Sequence, residues 1–550
     1  MKLWRLLIMG VLLVQALPVL GQTQLAKGKE FLQRGEAEAA LVELRQAAAQ
    51  APKNPVVWFW LGEAYFQAAK FDSAAFAAEK AVDLDDKATT GYLLLSKVRL
   101  AEKNPGEAVA VLRAGLKHNK QDHALLVQLG KALVASDSSD QAIIAFTKAQ
   151  SVVPNDPTTY EALGDIYMQQ GGTVVAIMRY EKALELDSLQ ANLQHKLAKA
   201  YMKERRYNEA ARAYQMVVKL DTTNQEAVFE LAKLYFAAKW YDKAARLLPD
   251  YVRRHPESRE AMAMYVEALY SGRQYQDMLT AAAKMSEAEL NSAKTLRMLA
   301  HAQYELRQYE PAIVTYQKLA QQEKLSGDEL KRLGRAYVET KQDSLAALAL
   351  EETLQQNANA AEVYGDLGAI YMRLRQFDKA AAAFEKKFTL DSTSVSAHMN
   401  YALCNMALQK WNMARVALYR VLRLKPDYLQ GHLSLARTLM QMDSLQQAKK
   451  VCERIIKLAD ATPANYKSEL AEVQGYIGFV LLLDKKYPEA IEALTASIRL
   501  IDNNAQTRLW RAQGLALSGK MEEAVAEYKV VLKLDPQNKE AKKNLTLLTQ

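Results

Sequence analysis

Alanine returns along this chain at one fixed interval of 34 residues. With Pro55 taken as position 1, position 20 falls on Ala40, Ala74, Ala108, Ala142, Ala176, Ala210, Ala244, Met278, Ala312, Ala346, Ala380, Ala414 and Ala448. An eight-residue insertion then shifts the frame, and Ala490 and Ala524 close the series, so 14 of 15 units carry Ala there. Position 8 is held to small residues in the same way: Gly28, Gly62, Ser96, Gly130, Gly164, Ala198, Ala232, Ala300, Gly334, Gly368, Ala402, Ala436, Gly478 and Ala512, with Val266 as the exception. Such strict self-similarity belongs to an array of small supersecondary units, none of which buries its apolar face alone. Only 22 Gly and 13 Pro punctuate 550 residues, which points to helices rather than strands. Pro52, Pro154, Pro256, Pro426 and Pro536 mark helix ends.

Within the units, Trp58-x-x-Leu61-Gly62-x-x-Tyr65 is followed by Ala74 and Ala81, and Tyr160-x-x-Leu163-Gly164-x-x-Tyr167 by Ala176 and Ala183. This pattern resembles the tetratricopeptide-repeat (TPR) family. The resemblance implies an all-α fold, a right-handed α-solenoid of about 15 helix-turn-helix repeats with a C-terminal capping helix. In that fold, positions 8 and 20 are small because two antiparallel helices cross there, and positions 4, 7, 11 and 24 fill the remaining space. The expected organisation is a signal peptide at 1–21, units 1–7 at 22–258, a divergent unit at 259–292, units 9–15 at 293–537 with an insertion near 460–468, and the cap at 538–550. Val266 and Met278 stand at both small-residue positions of the divergent unit, which predicts altered packing there.

Lys2 and Arg5, the apolar stretch Leu6 to Leu17, Pro18 and the small-residue pattern Val19-Leu20-Gly21 read as an export signal. The expectation is a protein of the periplasm or cell exterior, with retention of the segment as an anchor the alternative. No cysteine follows to carry a lipid, and no other stretch reaches the roughly eighteen apolar residues of a membrane span. The net charge of +9 becomes +7 without Lys2 and Arg5, too sparse for nucleic-acid binding. Cys404 and Cys452 are too few for a disulfide framework.

The chain has no H-E-x-x-H, P-loop, G-x-S-x-G or paired C-x-x-C pattern, so no catalysis, metal or cofactor is expected. His398 and His432 share position 4, with Cys404 nearby, and read as core residues. The resemblance places function in the concave groove, lined by the first helix of each unit. Position 9 there carries Lys97, Lys131, Lys199, Lys233, Arg335 and Arg437 among seven basic and three acidic residues. Position 12 carries Met168, Met202, Phe236, Tyr270 and Tyr304 among others. Cations beside adaptable thioethers and aromatic rings suit an extended acidic and apolar peptide. The expected function is therefore a non-catalytic scaffold for envelope proteins, and the alternative is recognition of an acidic polysaccharide. Leu403, Phe479, Leu482, Leu483 and Leu517 make the last units apolar, fitting a partner helix or self-association. The Lys/Arg/Asn clamp by which chaperone-binding TPR modules hold a carboxylate is absent. Asp followed by Ser or Thr recurs at Ser73, Ser188, Thr222, Ser344, Ser392 and Ser444, resembling a periplasmic O-glycosylation acceptor motif and expected in turns, where Asp also caps helices.

Overall fold

The computed structural model describes residues 22–357, 359–459 and 463–550. Segment 1–21, where an export signal is expected, and the first residues of the 460–468 insertion lie outside that range. Among the described residues the chain is helices and short turns, with no strand. A unit is a 13-residue first helix, such as Pro55–Gln67, and an antiparallel 14-residue second helix, such as Phe71–Leu84. The described residues divide into two compact bodies, one ending at Gly272 and the other starting at Arg273, each a stack of such hairpins. The division falls inside the divergent unit.

The small positions do what their register requires. Ala74, Ala108, Ala142, Ala176 and Ala210 are completely buried. In most units a large residue at position 24, sixteen residues later, stands opposite position 8, whereas Gly62, with Ala78 at its position 24, faces Leu94 of the next unit. A methyl group built on Gly28 would stand 2.4 Å from Leu44 Cγ, on Gly130 2.5 Å from Phe146 Cζ, and on Gly478 2.4 Å from Leu494 Cγ. Close packing leaves no slack at such points. In the divergent unit Val266 and Met278 are both fully buried, and position 24 is reduced to Ala282. Its second helix is short, Tyr275–Ala282, and a four-residue helical turn, Glu287–Leu290, completes the connection. The inserted segment near 460–468 includes a 3₁₀ turn, Pro463–Tyr466, and an extended first helix, Lys467–Leu483. The C-terminal helix, Lys539–Thr549, buries Ala541 against the last unit.

Two turn devices repeat with the period. Between the helices of each unit, one residue at position 15 takes the left-handed conformation: Gly35, Gly171 and Gly519, but also Ala69, Lys103, Asp137, Arg205, Lys239, Arg273, Arg307, Lys341, Arg375, Gln409, Asp443 and Lys485. The next N–H returns to the carbonyl at position 11, as in Lys70 N to Tyr65 O at 2.8 Å, closing a Schellman motif. A non-glycine residue in that conformation costs on the order of 1 kcal/mol, which the repeated hairpin contacts outweigh. Between units, the position-4 side chain donates to, or meets through a ring nitrogen, the carbonyl six residues earlier. Trp58 Nε1 reaches Pro52 O at 2.8 Å, Tyr160 Oη Pro154 O at 3.1 Å, His432 Nε2 Pro426 O at 2.7 Å and Arg508 Nε Asp502 O at 2.6 Å.

Candidate functional site

The charged residues at positions 2, 5, 6 and 9 of the first helices are largely paired with one another. Lys97 Nζ is 3.7 Å from Glu63, and Lys196 Nζ lies 2.8 Å from Glu161 and 2.7 Å from Asp165. Lys199 reaches Glu226 at 2.8 Å, and Lys233 pairs with Glu230. Arg335 bonds Asp366 at 2.8 Å, and Arg437 grips Glu472 through two bonds of 2.8 and 2.7 Å. Of the six basic groove residues singled out by sequence, only Lys131 lacks an ion partner among the described residues, and it is exposed. The stripe is thus mainly a ladder from one unit to the next. Each exposed rung contributes well under about 1 kcal/mol, so an incoming carboxylate can compete for it.

Two rungs are anchored more deeply. Burial alone would raise the Glu472 carboxyl, but hydrogen bonds from Arg437 and Tyr476 outweigh it and hold it below the usual carboxylate range. Burial opposes the charge of Glu329 too, yet Ser326, which forms a capping box with it, and Arg297 keep its carboxyl low. Because both are depressed only in the folded state, their contribution is complete above the ordinary glutamate pKa of about 4.3 and is lost as pH falls below it. The melting temperature is expected to fall steeply between about pH 5 and pH 3. Glu472→Gln with Glu329→Gln should lower it at pH 7 and flatten that acid limb, as read by circular dichroism.

The position-12 residues Met168, Met202, Phe236, Tyr270 and Tyr304 are all half-buried. Several close the hairpin turn: Phe236 meets Tyr241 edge-on at 5.5 Å and Tyr304 meets Tyr309 at 5.8 Å. Met202 instead lines a cleft of about 510 Å³ with Tyr207, Leu234 and Trp240. At the C-terminal end Phe479, Leu482, Leu483 and Leu517 come together with Leu547 and Leu548 around a cleft of about 380 Å³. Leu483, Leu517 and Leu547 remain 55, 60 and 62% exposed.

The remaining polar candidates have structural partners. His398 stacks on Phe388 at 4.3 Å, and its Nε2 lies 3.3 Å from Ser392 O. Burial pushes the Cys404 thiol up to about 11 and that of Cys452 to about 12, far from thiolate chemistry. No group of three His, Cys, Asp or Glu among the described residues could hold a metal ion. No helix among them is long and apolar enough to cross a membrane. Of the Asp-Ser/Thr motifs, Ser188, Thr222 and Ser392 lie in exposed turns and Ser444 just ahead of a helix. Ser73 and Ser344 do not lie in turns as expected but in the first turns of helices Phe71–Leu84 and Asp343–Gln356. There the left-handed residue of position 15 starts the second helix earlier than the Asp-Ser pair suggests. In the exposed turns the Asp accepts the N–H two residues on, as Asp221 does from Thr223 at 2.9 Å and Asp391 from Thr393 at 3.1 Å.

Sequence comparison agrees with this anatomy. Tetratricopeptide-repeat family models match residues 28–68, 56–87, 202–269, 365–428 and 480–539. Residues 77–199 match the model of the ChAPs, Chs5p-Arf1p-binding proteins. No curated protein matches the chain. Similar solved structures include PilF of Pseudomonas aeruginosa, at 22% identity over 39% of this chain and 95% of that one, with a TM-score of 0.33. A TPR protein of Thermus thermophilus is 22% identical over 33% of this chain and 99% of its own, with a TM-score of 0.29. The C-terminal part of a TPR repeat-containing protein of Cytophaga hutchinsonii is 22% identical over 51% and 98%, with a TM-score of 0.35. Fifteen hairpins on a 34-residue register interrupted by one eight-residue insertion, a left-handed turn at position 15 of each, and repeat-model matches in both halves give one conclusion: the chain is a tetratricopeptide-repeat protein.

Proposed function

We propose that this chain is a non-catalytic scaffold that holds segments of other proteins on the first-helix face, and that it works outside the cytoplasm in the cell envelope. The observation that carries the binding reading is the C-terminal apolar cleft. The hairpin stack needs no apolar side chains at positions 9 and 13 there, yet Phe479, Leu482, Leu483 and Leu517 stand together around the cleft, with Leu483 and Leu517 more than half exposed. Exposed apolar clusters of this kind mark interaction surfaces. The envelope location rests on the export pattern of residues 1–21 alone. Recognition of an acidic polysaccharide by the basic stripe draws no support from a face whose cations are mostly matched by carboxylates. The test uses the full chain, immobilised, with envelope extract. Leu483→Glu with Leu517→Glu should leave the melting curve unchanged, since both are surface residues, and should release a protein that the wild type retains. Identical retention by the variant would contradict the reading for this cleft.

A further inference from the structure

We propose that the edge around Trp240 is a two-part docking site for an acidic peptide segment carrying one apolar anchor residue. This rests on the protein-binding reading and assigns a place and a partner chemistry to it.

The register shows that Trp240 is not there for the repeat. Position 16, the residue just before each second helix, is Lys70, Asn104, Ser138, Gly172, Arg206, Gln274, Gln308, Gln342, Gln376, Lys410, Ser444, Lys486 and Lys520 in other units, and Glu36 in the first. Only at 240 is it aromatic, and that indole remains 49% exposed. The indole divides two adjoining clefts. On one side Met202, Tyr207, Leu234 and Tyr235 enclose about 510 Å³, with Tyr207 51% exposed. This side has room and a mainly apolar lining for a Leu, Met or Phe side chain. Glu230 on its wall is neutralised by Lys233.

On the other side, a polar cleft of about 470 Å³ is lined by Lys239, Lys243 and Arg246. All three are exposed, and none has an ion-pair partner among the described residues, unlike five of the six groove cations. Asp242 on the same wall is already engaged. Lys243 Nζ sits 4.2 Å over the indole and 5.4 Å from the Tyr235 ring, so the cation is held at the boundary between the clefts. The surrounding charge has the same sign. Residues 191–258 hold 13 Lys/Arg against 8 Asp/Glu, a net +5 in a chain whose total is +9. An apolar pocket beside unmatched cations complements an apolar residue next to carboxylates. Steering by the field and anchoring in the pocket are then separable contributions.

Fluorescence anisotropy on the full chain would test this with labelled acidic peptides of about eight residues, carrying a central Leu, Phe or Gly. A lysine-flanked Leu peptide and acidic alginate chains complete the set. The Leu and Phe peptides should bind, and the Gly and lysine-flanked ones should be at least tenfold weaker, roughly 1.4 kcal/mol or more. Trp240→Gln, which installs the residue found at the same register in neighbouring units, keeps the hairpin and should also weaken binding about tenfold. Lys243→Glu with Arg246→Glu should weaken it similarly and remove its salt dependence. Peptide binding unchanged in both variants would overturn the site while leaving the protein-binding reading standing. Alginate binding without peptide binding would overturn the peptide assignment. No binding of any probe would overturn the proposal outright, and the C-terminal cleft variants then decide the wider reading independently.

Discussion

Gly164→Val is expected to destabilise the units around it by about 1–3 kcal/mol, and Tyr180→Ala by about 3–5 kcal/mol. A Cβ at Gly164 would stand 2.4 Å from Tyr180 Cε1 and 2.6 Å from Cδ1, a separation that real side chains do not adopt. Tyr180 is fully buried and cannot swing out, because its hydroxyl donates to Asp165 Oδ1 at 2.7 Å. Removing the ring leaves a cavity between the two helices of the hairpin, in contact with the next unit. The two changes together should cost less than their sum by about 2 kcal/mol, since the valine fills part of the space the ring vacates. Hydrogen exchange should localise the effect to units near 157–220, because each repeat contacts only its neighbours. Additive single effects would contradict the size-exchange account of positions 8 and 24.

The second large effect is expected at Glu527, in the last unit. Its buried carboxylate receives Arg508 Nη1 at 2.9 Å and is paired with Arg511 Nη2. Glu527→Gln keeps the shape but leaves two guanidinium groups with little solvent and no counter-charge. Breaking a buried ion pair from one side costs about 3–5 kcal/mol. The last unit and the C-terminal helix Lys539–Thr549 should therefore lose amide protection first in denaturant, well before units near the middle of that body. Glu527→Gln with Arg508→Leu and Arg511→Met should recover much of the loss. Retained protection in Glu527→Gln would show that the triad contributes little.

The repeat was legible in the sequence because it rests on a constraint that recurs. Wherever two helix backbones approach, the residue must be small, and that requirement returns fourteen times as Ala at position 20. The left-handed turn at position 15 recurs as often but was hidden, because the surrounding hairpin forces Lys103, Asp137 and Arg307 into it as readily as Gly171. No residue preference reports it. The basic stripe was visible and its pairing was not. Lys199 with Glu226, Arg335 with Asp366 and Arg437 with Glu472 lie 27, 31 and 35 residues apart, on neighbouring first helices. Reading position 9 against positions 2 and 6 of the following unit would have exposed the ladder. Position 4 was read as packing, but its polar tips also tie the turn between units, which explains why Trp, Tyr, His and Arg share it. Of the residues that make the last units apolar in the sequence, Phe479, Leu482, Leu483 and Leu517 do line the C-terminal cleft, whereas Leu403 packs against Met399, Leu418 and their neighbours instead. The Trp240 edge was missed, though one aromatic residue in a column of polar ones was its signal.

The central claim is that the first-helix face and its clefts hold protein. The most direct measurement is site-specific crosslinking of the full chain in its native cells, with a photoreactive residue placed in turn at Lys131, Leu483 and Leu517, and on the second-helix surface at Ile144 and Leu348. All five side chains are exposed. The account predicts crosslinks to the same envelope protein or small set of proteins from the first-helix positions, and none from Ile144 or Leu348. Equal crosslinking from both surfaces, or recovery of acidic glycan with no protein, would contradict it.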